Sequence, residues 1–223
     1  MKRKTVFLLV VVAILMIIFF AAKPLLEQKN VLLSNQIQTT KQKKKKTVKH
    51  YPPATWGYPF EKMNEKQIKF KSGQKYGQTD VLRRPQSHSY FHDGYDFGWG
   101  AVGHSTVLAI HEGTVHKVAF KPGMDWYIWV ISKDGYVEIY QEGFINRSDI
   151  YVKKGQHIKL GQKIGKLTGT HVHLGVTKTD KKYIDKDGAP CKNWYKNNGT
   201  WLNPMNIITA DLKRAGKYCQ DTK

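Results

Sequence analysis

The sequence predicts a mostly β domain, preceded by one apolar N-terminal span and a basic linker. Two observations carry the β assignment. Short runs rich in alternating and β-branched residues recur at Thr106–Ile110, Gly113–Phe120, Trp126–Ser132, Tyr136–Tyr140, Ile150–Val152 and His171–Thr177. Turn residues punctuate them: Lys121-Pro-Gly, Lys133-Asp-Gly, Lys154-Gly, Leu160-Gly and Thr168-Gly. A third observation sets the organisation. The 223 residues carry a formal net charge of +20, and the first fifty are unlike the rest in composition.

Lys2-Arg3-Lys4 precedes an uninterrupted apolar stretch from Val6 to Ala22. As a helix it is about 25 Å long, close to the hydrocarbon thickness of about 30 Å. The basic flank places the N-terminus in the cytoplasm and everything after it outside. Phe19 and Phe20 stand where a signal peptidase requires small residues, so residues 1–22 read as an uncleaved signal-anchor with the membrane span at 5–22. Cleavage would instead give a secreted protein.

Residues 23–55 read as a flexible linker. They hold Lys41-Gln-Lys-Lys-Lys-Lys46 and Lys49, with Glu27 as the single acid, and like-charge repulsion keeps such a chain extended. An exported, strongly basic chain meets anionic lipid head groups and anionic wall polymers; nucleic acid is not expected outside the cell. Residues 56–223 are long enough for one domain with a hydrophobic core. Its one clear helix starts at Asn203-Pro204, a cap followed by proline at the first helical position, and stops at Gly216. Cys191 and Cys219 both lie on the exported side, where a disulfide tying down the tail is worth roughly 3–4 kcal/mol in the loop-entropy account.

Two strings carry chemistry. His92-Asp-Gly-Tyr-Asp96 spaces histidine and carboxylate by four, and His171-Val-His173 spaces two histidines by two. On strands, residues at i, i+2 and i+4 share a face. Two adjacent strands therefore aim His92, Asp96 and one histidine of the second pair at a single point. Two nitrogens and a carboxylate suit Zn²⁺ and leave a fourth position open, while the remaining histidine is placed to move protons. His92 and Asp96 alone are a weak signal among nine histidines. The second pair is stronger, because it sits in an apolar run where unsatisfied imidazoles are costly. The combination predicts a metal-assisted hydrolase.

Taken in order, the motifs resemble the LytM/lysostaphin-type zinc metallopeptidases, which cleave peptide bonds of bacterial peptidoglycan. The resemblance runs from about Gln86 to Ile208. It rests on His92-Asp-Gly-Tyr-Asp96, on Thr106–Val115, on the glycine-punctuated Val152–Gly165, on His171-Val-His173, and on Leu202-Asn-Pro204. It implies an open, mostly antiparallel β-sheet domain (the duplicated hybrid motif type) with a groove over one sheet. Carried over by position, it makes His92, Asp96 and His173 ligands of one Zn²⁺, and His171 the histidine that polarises or deprotonates water. Peptidoglycan stem peptides or cross-bridges are the implied substrates, with Tyr90, Trp99 and Trp126 as candidate groove walls.

The sequence departs from that pattern at two places. The family carries a second catalytic histidine in a Tyr-x-His-Leu-like string, whereas here Tyr140-Gln-Glu-Gly-Phe144 puts Glu142 at that position. The segment Leu167-Thr-Gly-Thr170 also replaces a longer loop. An ionised Glu142 opposes an oxyanion, but beside zinc it can serve as general base. The expectation is a membrane-anchored extracellular zinc endopeptidase, with His171 and Glu142 as catalytic residues. The alternative is a LytM-fold domain that binds or regulates the wall without turnover. For the histidine missing at 142, His104, His111 and His157 are the candidate substitutes.

Overall fold

The computed structural model describes residues 16, 22–34, 51–61, 70–98 and 105–216. The chain divides into two compact units, Met1–His50 and Tyr51–Lys223. In the first, residues 22–34 form helix α1 with every side chain exposed. This differs from the extended linker expected from residue 23. Pro24 in the first turn and the helix formers Leu25, Leu26, Glu27, Gln28 and Lys29 explain why the linker starts as helix. The span expected at 5–22 lies outside the described residues, apart from Met16 and Ala22. No helix among the described residues is long and apolar enough to cross a membrane.

Among the described residues, the second unit holds ten strands and one α-helix. The strands are β1 (Gly77–Gln78), β2 (Phe91–His92), β3 (Gly94–Phe97), β4 (Thr106–Leu108), β5 (Gly113–Lys121), β6 (Asp125–Ile131), β7 (Tyr136–Phe144), β8 (His157–Ile158), β9 (Lys163–Lys166) and β10 (Val172–Lys178). Six form one sheet in the order β3-β10-β7-β6-β5-β8, and β1-β2 and β4-β9 form two small ribbons. All these pairings are antiparallel.

The central hairpins follow from local chemistry. Gly123, with φ 82°, closes the turn between β5 and β6, and Gly135, with φ 83°, closes the one between β6 and β7. At the latter, Ser132 Oγ accepts the Tyr136 N–H at 2.8 Å. Both faces of the sheet are covered, which explains the nearly continuous apolar runs of β6 and β7. On one face Ile128, Val130, Tyr140, Leu174 and Val176 join a core with Trp56, Phe60, Met205 and Ile208. On the other, Tyr127, Trp129, Val137 and Ile139 pack with Phe91 and Trp201. Alternate residues of each strand thus serve different cores.

Helix α2 (Pro204–Arg214) starts as the sequence dictates, with Asn203 accepting from the N–H groups of Met205 and Asn206. Its Asp211 carboxylate accepts the backbone N–H groups of Thr55 at 2.7 Å and Trp56 at 2.9 Å, pinning the entry segment to the domain.

Two expectations are corrected. Ile150–Val152 is no strand; Ile150 makes only an isolated bridge to Gly165, and the strands of that region are β8 and β9. The glycines at 155 and 161, with φ 81° and 76°, break the segment into short pieces. His92 and Asp96 do not share one strand either. The chain leaves β2 at Asp93 and re-enters a different sheet at Gly94, so His92 pairs toward β1 and Asp96 toward β10. Gly94 permits this: a Cβ there would stand 2.4 Å from the Leu174 carbonyl oxygen.

Candidate metal centre

Strand register brings the predicted ligands together. His173 on β10 lies directly opposite Asp96 on β3, and both point to the face carrying the Phe91–Trp201 core. His92 arrives from the β1-β2 ribbon. His92 Nε2 is 2.9 Å from His173 Nδ1 and 3.1 Å from Asp96 Oδ1, and His173 Nδ1 is 3.1 Å from Asp96 Oδ1. Among the described residues, these three form the one group of buried donors able to hold a metal ion. Donors around a tetrahedral zinc stand about 3.3 Å apart, so the triangle is close to the size the ion requires.

The remaining hydrogen bonds prepare the donors. The Lys75 carbonyl oxygen lies 2.8 Å from His92 Nδ1. A carbonyl can only accept, so Nδ1 carries the proton and Nε2 turns its lone pair to the cluster. The charges agree. Burial opposes ionisation of Asp96, yet its contacts with His173 and His92 outweigh it and hold the carboxyl well below its ordinary range. Burial likewise disfavours charge on His173, but Asp96, Asp93 and Glu142 raise its pKa. Both shifts mean that positive charge is stabilised at this point. The residues fit a divalent cation.

His171 stands beside the triangle. Its Nε2 is 3.6 Å from Asp96 Oδ1 and 3.2 Å from Glu142 Oε2, and Nδ1 is 2.9 Å from Thr170 Oγ1. Burial works against ionisation of Glu142, but the hydrogen bond from His171 and the charges of His173 and His171 lower its pKa. Glu142 has φ 64°, a left-handed conformation that a non-glycine residue adopts at a cost of about 1–3 kcal/mol. Its N–H donates to the Met124 carbonyl at 2.8 Å, and the short 167–170 loop docks against the same bend through Thr168 N–H and Gly169 N–H to the Gly143 carbonyl. A Cβ at Gly169 would meet the Glu142 carbonyl at 2.6 Å, so the shortened loop and the turned carboxylate are one packing unit.

A groove passes over the cluster. On one side is a cavity of about 470 Å³ bounded by Lys71, Asp80, Arg83, Asp96, Glu142 and His171. On the other is one of about 400 Å³ with Arg83, Arg84, Gln141, Glu142, His173 and Trp194 on its walls. Trp126 is half-buried against Phe120 and lines neither cavity, nor does Tyr90; Trp99 lies outside the described residues. The aromatic walls are Trp194 and Trp201, and the Arg84 guanidinium sits over the Trp194 ring 4.1 Å from its centroid. His111 and His157 are remote, paired with Asp134 at 3.3 Å and Glu112 at 3.1 Å beside another cavity. His104 lies outside the described residues. Cys191 is exposed, and Cys219 lies outside them. Lys75, Arg83 and Trp194 were missed because nothing in their spacing marks them; only the dibasic Arg83-Arg84 ahead of Pro85 was a visible signal.

Fold and site together define a groove-bearing antiparallel sheet domain with a buried two-histidine, one-aspartate donor set on the groove floor. The model for "Peptidase family M23" matches residues 90–186. A crystal structure of cbpa from L. salivarius REN is similar at 34% identity, covering 71% of this chain and 97% of that one, with a TM-score of 0.59. The chain belongs to peptidase family M23, and so to the metallopeptidases. A variant of the catalytic domain of the prophage-encoded M23 protein EnpA from Enterococcus faecalis is similar at 23% identity, over 64% of this chain and 92% of that one, TM-score 0.42. The lysostaphin catalytic domain from Staphylococcus simulans is similar at 22% identity, over 62% and 92%, TM-score 0.44. A search of the curated proteins finds no match.

Proposed function

We propose that this protein is a membrane-anchored, extracellular zinc endopeptidase that hydrolyses peptide bonds of peptidoglycan. One observation carries the reading: His92 Nε2, Asp96 Oδ1 and His173 Nδ1 converge, with the His171–Glu142 pair at their edge. Family membership supports the reaction class. The apolar stretch at 5–22 and the lysine run at 41–49 support the tethering, which holds the domain against anionic wall polymers or lipid head groups.

His92, Asp96 and His173 would hold a zinc ion, which when bound would supply a Lewis acid and lower the pKa of water toward neutral. The chain's own groups handle the protons. His171 turns Nε2 toward Glu142 and Nδ1 toward the Thr170 hydroxyl, which fixes the ring on both sides. Glu142, kept ionised by that hydrogen bond, accepts the proton of the attacking water and returns it to the leaving amine. The groove holds an extended peptide between the Lys71 and Trp194 sides and limits water at the reacting carbonyl.

The test is incubation of the zinc-loaded protein with purified cell walls of several types and quantification of new amino termini. Their appearance supports the reading; none from any wall, with one zinc bound per chain, overturns it.

A second reading takes the domain as a wall-binding or regulatory module. The same contact favours it, since the nitrogen of His171 nearest the cluster is engaged by a carboxylate at 3.2 Å. On that reading His171→Ala leaves the cellular phenotype intact, while changes along the groove abolish it.

A further inference from the structure

The position at which the family pattern has a second histidine carries a carboxylate here, so the groove needs another donor for the oxygen of the attacked carbonyl. Among the described residues, one cation touches the metal cluster. Arg83, on the loop ahead of β2, places Nη2 3.7 Å from Asp96 Oδ2. The same nitrogen donates to the Gly73 carbonyl, which fixes the guanidinium against the groove wall. Arg83 also lines both cavities that meet at the cluster. Its Nε is buried with no hydrogen-bond partner. A buried guanidinium N–H without an acceptor is costly, and it leaves the Arg83 charge only partly neutralised by the protein around it.

Other cationic side chains line the cavities, Lys71 on one side and Arg84 and Lys121 on the other, but Arg83 lines both and is ion-paired to the cluster. His111 and His157 belong to the distant carboxylate pairs. The Gln141 amide donates to Glu142 at 3.3 Å, and the nearest His171 nitrogen faces the same carboxylate.

We propose that Arg83 is a catalytic residue: it donates hydrogen bonds to the scissile carbonyl oxygen as negative charge develops there. This rests on the endopeptidase reading above. No bond to Arg83 forms or breaks; the guanidinium stays charged throughout and acts as a fixed electrostatic donor. Its charge also offsets that of Glu142, which otherwise disfavours the oxyanion.

The experiment compares full-length wild type, Arg83→Met and Arg83→Lys, each loaded with zinc. Inorganic phosphate serves as an oxyanion probe that is independent of peptide specificity. The expected result is one zinc per chain in all three proteins, with phosphate affinity at least about tenfold weaker in Arg83→Met and kcat on cell walls about 100-fold lower at a KM within about threefold. Equal phosphate affinity, loss of zinc from Arg83→Met, or a rise in KM alone overturns the proposal. Should Arg83→Met fail to fold, Arg83→Lys decides, since it keeps the charge and loses the fork: unchanged phosphate affinity and kcat overturn the proposal, and a several-fold loss in both supports it. Weakened phosphate binding in Arg83→Met, with a wild type that cuts no wall, sinks the endopeptidase reading and leaves the donor assignment standing.

Discussion

Glu142 Oε2 lies 3.2 Å from His171 Nε2, and the backbone of Glu142 is turned left-handed to bring it there. The carboxylate therefore faces the edge of the donor cluster and is not turned away from it. His171→Ala is expected to lower kcat on cell walls by about 10²–10⁴, and Glu142→Gln by a factor in the lower part of that range, with zinc still bound at one per chain. Counting released amino termini alongside metal content checks both.

Backbone strain gives Glu142 a second signature. Glu142→Gly removes the left-handed penalty and is expected to raise stability by about 1 kcal/mol while turnover falls. Chemical denaturation and wall cleavage on the same preparation measure the two effects. A loss of stability would show that the carboxylate holds the fold together.

Gly94 decides whether β3 can approach β10. A Cβ there stands 2.4 Å from the Leu174 carbonyl oxygen and 2.7 Å from His173 Nε2. Gly94→Ala is expected to cost about 1–3 kcal/mol and to weaken zinc binding at least about tenfold by displacing His173. Competition with a chromophoric chelator reads the metal affinity, and urea denaturation the stability.

Removing the metal is expected to lower the melting temperature of the wild type, because bound zinc stabilises the folded state alone. His92→Ala and His173→Ala are expected to bind no zinc and to melt at temperatures that chelator does not change. Calorimetry with and without chelator tests this.

Glu138 predicts a pH effect away from the groove. Its side chain is wholly buried, with neither carboxylate oxygen hydrogen-bonded, and burial, assisted by the Asp134 charge, pushes its pKa well above the ordinary carboxyl value. The folded state holds this proton more tightly than the unfolded chain. Stability is therefore intact below about pH 4.3 and falls as pH rises toward the folded value. Glu138→Gln is expected to match wild type near pH 4 and to exceed it by about 1–3 kcal/mol at pH 8. Urea unfolding at the two pH values gives the difference.

The hairpin of β6 and β7 was readable because Lys133-Asp-Gly sits between two apolar runs, and α2 because Asn203-Pro204 announces its start. The ligands were readable from residue type and from the resemblance. Their delivery was not. Alternation predicts that His92 and Asp96 share a strand, but the close approach of β3 to β10 at Gly94 is a tertiary requirement that no local period encodes. Arg83 and Trp194 lie in segments without periodicity, placed by contacts such as Ser89 Oγ to the Tyr195 carbonyl at 2.7 Å. The left-handed turn at Glu142 was equally hidden, since glutamate gives no sign of positive φ.

Because His92 comes from the β1-β2 ribbon while Asp96 and His173 come from the six-stranded sheet, the donor triangle is also a seam between two pieces of structure. The stretch that supplies His92 carries the Arg83 wall as well. Loading the site is expected to fix that wall in place, so that metal binding and closure of the groove walls occur in one event. Limited proteolysis across residues 71–90 then becomes a direct gauge of how far the metal has closed the cleft.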